Sequence, residues 1–403
     1  MSDFDLDIDL TDEMLAIRDR CRRFARDVLR PVGAKLDQVS AEEVIARDSP
    51  LWDVLRQYKE LGFGGGAQLA ETELTPAQRA LLHGLILEEL SWGDVGLFIT
   101  CGMYNIIPTV ARSFGRPDLE EFFASRDEVG CLAVTEPAHG SDHVAFTEPA
   151  YRDGRLKPSL RARRKGEDYV LNGQKSAWVS CGTIAGSGIV LAVFEDSRAG
   201  LADGVVLLMP LDLPGVSRGK PLEKLGQRSL NQGEIFFDEV VVPRRFVIAE
   251  GPEAYPLIWE NYLGHANTHM GQQFVGVARA AYDYALEYAK QRVQGGRPIF
   301  EHQAVKMRLF NMFQKVEVAR SHALRVAVAA AVKPGGVPFQ YAASSKVFCT
   351  QTAFEVASEA IQVLGGAGLT REYPVEKLFR DARASLIEDG ENGMLGLMAA
   401  ARL

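Results

Sequence analysis

The sequence has no paired cysteines. Its five cysteines, at positions 21, 101, 131, 181 and 349, are scattered through 403 residues with no CxxC spacing. Neither a disulfide framework nor a zinc knuckle is implied, and a reducing compartment fits. Positive charge is not in excess. The formal charge is −8, the wrong sign for a nucleic-acid surface, although local basic clusters can still hold phosphates. No apolar run reaches bilayer length, so no membrane span is expected. The first nine residues carry Asp3, Asp5, Asp7 and Asp9 and no base. That is unlike a basic leader, and a cytoplasmic protein is expected. Glycine-rich stretches never follow a strand and open a helix in the GxGxxG manner, so no dinucleotide fold of that kind is expected.

What remains is an ordinary globular composition, 47% hydrophobic and 24% charged, in a chain too long for one simple core. Its texture changes twice. Residues 1–128 read as helical. Thr11 can cap a helix with Met14, Ile17, Cys21, Phe24 and Val28 on one face, ended by Pro31. A second run covers Leu51–Leu61 and stops at Gly62-Phe-Gly-Gly-Gly. Thr75-Pro76 opens a third through Leu90, and Gly96–Phe114 predicts a buried helix. Residues 129–243 hold short β-branched runs divided by turn residues, with Asn172-Gly173, Asp153-Gly154 and Asp203-Gly204 as turn signals. They predict a β-domain, a small barrel or sandwich. Residues 244–403 return to helical period over 256–291, 304–332, 340–364 and 375–386, with a short last helix, which is a four-helix-bundle pattern.

Four segments concentrate chemistry-bearing residues. They are Cys131-Leu-Ala-Val-Thr-Glu-Pro-Ala-His-Gly-Ser-Asp142, Leu171-Asn-Gly-Gln-Lys-Ser-Ala-Trp-Val-Ser180, Gln291-Arg-Val-Gln-Gly-Gly-Arg-Pro-Ile-Phe-Glu-His-Gln303, and the long stretch Gln362-Val-Leu-Gly-Gly through Glu372-Tyr-Pro-Val-Glu-Lys-Leu-Phe-Arg-Asp-Ala-Arg383. At these residues, and in the order of its elements over nearly its whole length, the sequence resembles the acyl-CoA dehydrogenase family. The resemblance implies an α+β subunit with an N-terminal helical domain, a central β-barrel and a C-terminal four-helix bundle. It further implies FAD between barrel and bundle, an acyl-CoA substrate, an electron-transfer flavoprotein as acceptor and a homotetramer.

By the same resemblance, Val134, Thr135 and Ser141 meet the flavin or the thioester. Trp178 packs on the flavin and Ser180 reaches its N5, with one extra residue between Lys175 and Trp178. Arg292 and Gln303 reach a partner subunit's FAD, with Gly295-Gly296 standing where the family has Phe-Gly. Gln362, Gly365 and Gly366 pass close to that cofactor. Each segment also has a plainer reading: a strand-end turn, a core tryptophan, a solvated helix end and a glycine C-cap.

Removing an α-proton while a hydride leaves the β-carbon requires a carboxylate held in a dry pocket. The family's Glu-Gly-Thr triplet falls on Asp389-Gly390-Glu391, so Asp389 is the expected base and Glu388 the alternative. Glu391 brings an extra charge where the family has threonine. The helix position that carries the base in some relatives falls on Ala266. Asp94, in a segment that lines the acyl pocket by resemblance, is either a second base on a ring or branched acyl group or the N-cap of the next helix. His139/His143 and His265/His269 are four apart without a third ligand, so no metal is expected. Arg161-Ala-Arg-Arg-Lys165 is either a CoA-phosphate contact or a solvated hairpin. A relative that uses oxygen or a carrier-protein thioester, or a non-catalytic flavin-binding member, are the alternative functions.

Overall fold

The computed structural model describes residues 10–62, 73–104, 106–145 and 148–403. The acidic start and the glycines after Gly62 lie outside the described residues.

Helix α1 (Asp12–Phe24) begins where Thr11 Oγ1 accepts the Met14 amide at 3.2 Å, as the cap signal predicts. It does not end before Pro31. A single π turn, Ala25–Leu29, leads into α2 (Arg30–Leu36), whose first turn accommodates the proline, since proline is tolerated where its missing N–H has no helical acceptor. Short α3 (Ala41–Val44) and then α4 (Pro50–Leu61) follow. The two helices expected over 80–90 and 96–114 are arranged differently. One long element, α5 (Pro76–Met103), runs through both, broken at Asp94 by extended backbone (φ −160°, ψ 114°), and α6 (Ile106–Ser113) and α7 (Pro117–Ala124) come after it.

The central sheet has eight strands: β1 (Gly130–Ala133), β2 (Arg161–Lys165), β3 (Asp168–Ser180), β4 (Ser187–Phe194), β5 (Gly204–Pro210), β6 (Val216–Arg218), β7 (Gln232–Val242) and β8 (Val247–Glu250). Their order is β6-β7-β3-β2-β4-β5-β8, with β1 parallel to β4. This sheet stands where the β-barrel is expected, and its ring of hydrogen bonds is not closed. Among the described residues no ladder joins edge strand β6 to edge strand β8, and the sheet is open. It also extends past residue 243, because β8 pairs with β5. Asn172-Gly173 is not a hairpin turn. It lies inside β3, where Gly173 sits at φ +125° and a Cβ would press to 1.8 Å from the Ser159 carbonyl oxygen. The basic cluster at 161–165 is strand β2 paired to β3, with the Arg164 guanidinium over the Phe194 ring at 3.9 Å.

The bundle consists of α8 (Gly251–Gln291), α9 (Gln303–Val332), α10 (Phe339–Leu364) and α11 (Val375–Ser385), followed by α12 (Asn392–Ala400). Helix α5 packs on α8 and α9. A buried charge network locks that seam: Arg279 holds Glu88 and Glu89 at 2.6 Å each, Arg320 meets Glu88 at 2.9 Å and Arg22 meets Glu89 at 2.9 Å. Each carboxylate has two guanidinium partners, the condition under which buried charge is tolerable. Among the described residues no single helix is long and apolar enough to cross a membrane.

Candidate active site

The loop between α11 and α12 carries Glu388, Asp389, Gly390 and Glu391. Asp389 sits at φ +48°, a left-handed conformation that aspartate tolerates better than most residues. Two clamps fix the backbone around it. Asn267 on α8 donates from Nδ2 to the Asp389 carbonyl at 3.1 Å, and Lys346 on α10 donates to the Gly390 carbonyl at 2.7 Å and to Asn392 Oδ1 at 2.8 Å. The Asp389 carboxylate itself makes no hydrogen bond among the described residues. It is accessible to water, while protein packs closely enough around it to act on its titration. Burial raises its pKa, and the Lys346 charge opposes the rise. The α8 residue bonded to this loop is Asn267, next to Ala266, the position that matches the base of some relatives.

Glu388, beside Asp389, is engaged. Its Oε2 accepts from Gln227 Nε2 at 2.9 Å. Burial, with the charge of Asp389 adding to it, lifts Glu388 to about 7 against the opposing pull of Gln227, Lys224 and Lys346. Glu391 is not loose charge in the pocket. It is the N-cap of α12, accepting the Met394 amide at 2.9 Å, and its pKa is lowered by such backbone donors. The capping role explains how an acid occupies this position without the desolvation cost expected for it.

The link to the sheet runs through the β6–β7 loop. Lys224 Nζ donates to the Leu230 carbonyl at 2.6 Å and to Gln232 Oε1 at 3.0 Å. The Gln232 amide in turn reaches Ser180 Oγ at 3.2 Å and the Trp178 carbonyl at 3.4 Å. Burial lowers Lys224 to about 8, with Glu388 and Asp381 pulling it back up. Gly226 lets this loop dock on α11, since a Cβ there would lie 2.2 Å from the Arg380 carbonyl oxygen.

Trp178 is 59% exposed and is not a core residue of the sheet. The register between β3 and β7 slips between Lys175 and Val179, so the extra residue found in the sequence is absorbed by a bulge that turns the indole outward. Val134 and Thr135 stand next to this bulge. The buried Lys175 ammonium donates to the Val134 carbonyl at 2.8 Å, and the Ser176 amide donates to the Thr135 carbonyl at 2.8 Å. Exposed Ser141 opens a half-buried turn beyond them, anchored where His139 meets Asp142 and the Lys157 carbonyl. An open aromatic face, a neighbouring hydroxyl and backbone polar groups fit a flavin ring.

Asp94 is placed elsewhere. Its Oδ1 accepts the Leu97 amide at 2.9 Å and the Ser229 hydroxyl at 2.7 Å, while Oδ2 pairs with Lys377 at 2.7 Å. Burial raises its pKa, but Lys377 and these donors outweigh burial and leave it lowered. This is the helix cap that the sequence left open. A carboxylate with both oxygens engaged is a poor base, so the catalytic role expected for Asp94 is not supported.

Arg292, Gln303, Gln362, Gly365 and Gly366 form a second, separate group, all exposed at one end of the bundle. Arg292 closes α8, and Gly295 (φ +61°) and Gly296 (φ +79°) turn the hairpin that follows. Gly365 caps α10 at φ +62°, and a Cβ on Gly365 or Gly366 meets nothing within the chain. Lys224, Gln227, Gln232, Asn267 and Lys346 were not singled out from the sequence. The available signals were a lone lysine inside apolar α10 and the Lys224-Leu-Gly-Gln-Arg-Ser229 run between two strands.

Comparison with known proteins finds three matching regions. Residues 11–124 match the acyl-CoA dehydrogenase N-terminal domain, 131–240 the middle domain and 257–403 the C-terminal domain. Benzylmalonyl-CoA dehydrogenase of Aromatoleum aromaticum is 31% identical, covering 98% of this chain and 99% of its own. Cyclohexane-1-carbonyl-CoA dehydrogenase of Geobacter metallireducens is 29% identical over 97% of each chain. Butyryl-CoA dehydrogenase of Megasphaera elsdenii shares the fold, with a TM-score of 0.83 at 24% identity over 98% of this chain and 99% of that one. The chain therefore belongs to the acyl-CoA dehydrogenase family, and it is an FAD-dependent oxidoreductase acting on acyl-CoA.

Proposed function

We propose that this enzyme introduces an α,β double bond into a compact acyl-CoA, with Asp389 as the base that takes the α-proton. The observation that carries this reading is the contrast between three neighbouring acids. Glu388 is hydrogen-bonded to Gln227 and Glu391 caps α12, whereas Asp389 alone presents a carboxylate with no hydrogen bond. Its pKa is raised by the protein packed around it, which increases its basicity. Asn267 and Lys346 hold the loop from behind, so the shorter aspartate is presented from a fixed backbone.

Trp178, Ser180, Val134 and Thr135 are the residues that would hold the flavin ring, which supplies the hydride acceptor when bound. Ser180 is kept in place by Gln232, and Trp178 offers its apolar face beside it. The role of the chain is to bind and orient the thioester, to exclude water, and to take one proton at the Asp389 carboxylate.

Arg292, Gln303, Gln362, Gly365 and Gly366 support a homotetramer. Residue 291 lies 24 positions from Asn267 and residue 364 lies 18 from Lys346, so at 1.5 Å per residue the two groups stand roughly 27–36 Å apart along the bundle. Two groups so separated suit the cofactors of different subunits. With Asp94 assigned to a cap, the compact or ring acyl group rests on the short Asp389 side chain and the likeness to the two relatives with ring-bearing substrates in their names. We take an electron-transfer flavoprotein as the acceptor and the cytoplasm as the location. Anaerobic bleaching of the purified yellow protein by straight, branched and alicyclic acyl-CoAs tests the reading. Bleaching by a compact acyl-CoA is expected, and no response to any of them would overturn it.

A further inference from the structure

The mechanism above uses Asp389 and leaves its neighbour Glu388 unexplained. Two adjacent carboxyls on one loop could both swing toward the substrate, and the structure contains a device that separates them. Gln227 is 1% exposed and sits at φ +49°. Its side chain donates to Glu388 Oε2 at 2.9 Å and to the Asp381 carbonyl at 3.4 Å, while its backbone amide donates to the Asp381 carboxylate. Asp381 is held by Lys377 at 2.6 Å, and Lys377 by Asp94 at 2.7 Å. One line of polar contacts thus runs from the break in α5 through α11 and the β6–β7 loop to the acid beside the base, crossing all three domains.

We propose that Gln227 is a positioning residue for the base: it holds Glu388 against the β6–β7 loop and so leaves Asp389 as the only carboxylate presented to the substrate. This rests on the reading of Asp389 as the base. The charged groups facing the pair are Lys346 from α10, Lys224 from the β6–β7 loop, Glu391 from the start of α12, and the Tyr262 hydroxyl from α8, whose pKa is raised by burial and by the Asp389 charge. The proposal gives Asp94, Lys377 and Asp381 a function beyond stability, since they fix the loop from which Gln227 reaches.

Burial pushes Glu388 up to about 7, and the Gln227 donor favours its charged form. Removing that donor moves the titration upward. A charge-assisted hydrogen bond of ordinary strength corresponds to a shift of about one pH unit.

The experiment compares wild type, Glu388→Gln, Gln227→Leu and Asp389→Asn, each as the FAD-loaded enzyme. The protonated-carboxyl band is followed by difference infrared spectroscopy across pH, and the rate of anaerobic flavin bleaching is measured alongside. Wild type should show a carboxyl titrating near pH 7 that Glu388→Gln lacks. Gln227→Leu should move it up by about one unit and lower the maximal bleaching rate more than it changes substrate affinity. Glu388→Gln should still bleach. An unmoved band in Gln227→Leu, with Asp389→Asn inert, overturns the positioning role and leaves the base intact. An inert Glu388→Gln beside an active Asp389→Asn overturns the base assignment itself. If Gln227→Leu unfolds, Gln227→Glu is read instead. It places a like charge on Glu388 and should raise the same titration, and an unchanged band there equally overturns the proposal.

Discussion

Lys346 Nζ lies 2.7 Å from the carbonyl oxygen of Gly390, the residue that follows Asp389. A fully buried lysine in an otherwise apolar stretch of α10 is thus engaged by the backbone of the loop that carries Asp389. Burial lowers it to about 8, with Asp389, Glu388 and Glu391 pulling it back up. Its charge is the one that opposes the rise in the Asp389 pKa.

Replacing Lys346 by methionine should have two separable effects. The Gly390 carbonyl and Asn392 Oδ1 lose their donor, which should cost roughly 2–4 kcal/mol of stability, read by chemical denaturation. The cation that holds Asp389 down is also lost, so its pKa rises further. The acid limb of the bleaching rate should then move to higher pH. A stability loss with an unmoved limb would assign Lys346 a purely structural role.

Asp94→Ala removes a cap and leaves Lys377 with Asp381 as its one carboxylate. Breaking a buried pair from one side typically costs about 3–5 kcal/mol. The folded pKa of Asp94 is lowered, so its contribution is present above the unfolded value of about 3.9 and is lost as pH falls through the folded value. The stability gap between variant and wild type should be widest near neutrality and should close in acid. Below its melting range Asp94→Ala should still bleach, and complete loss of bleaching in folded protein would return Asp94 to the chemistry.

Glu391→Ala removes the α12 cap. A loss of about 1 kcal/mol is expected, with bleaching retained. Glu391→Asp, which keeps a capping oxygen, should recover most of the stability. Failure of Glu391→Ala to reduce flavin while folded and FAD-loaded would show that the acid acts on the reacting groups.

Arg292→Ala should leave helix content unchanged and lower FAD retention in the assembled enzyme. Sedimentation should give a tetramer for wild type. A monomer that retains FAD fully would contradict the assignment of this end of the bundle to a partner's cofactor.

The parts of this site that were legible in the sequence are those that stand in contiguous segments. Trp178, Ser180 and Asp389 were candidates because each sits in a contiguous motif, although the extra residue before Trp178 and the neighbouring Glu388 left the register open at both places. The helices of the bundle were legible from their period, and the cap at Thr11 from its residue type. The clamps were not, because Asn267, Lys346 and Gln227 come from three elements that meet only in the folded chain. Continuation of the helix past Pro31 was missed because a π turn shifts the hydrogen-bond frame, which periodicity does not report. Asn172-Gly173 was misread as a turn because a strand bulge and a hairpin ask for the same residues. Asp94 had two chemically sound readings, and they are separated by its bonds to the Leu97 amide and Ser229 and by its ion pair with Lys377, 283 positions away in the sequence.

The central claim is that Asp389 removes the α-proton. Asp389→Asn removes the charge with almost no change of shape, so FAD should stay bound and the protein should remain yellow. Its anaerobic bleaching by a compact acyl-CoA that bleaches wild type should fall by about 10²–10⁴-fold, the range for loss of a general base. Bleaching at the wild-type rate would contradict the account.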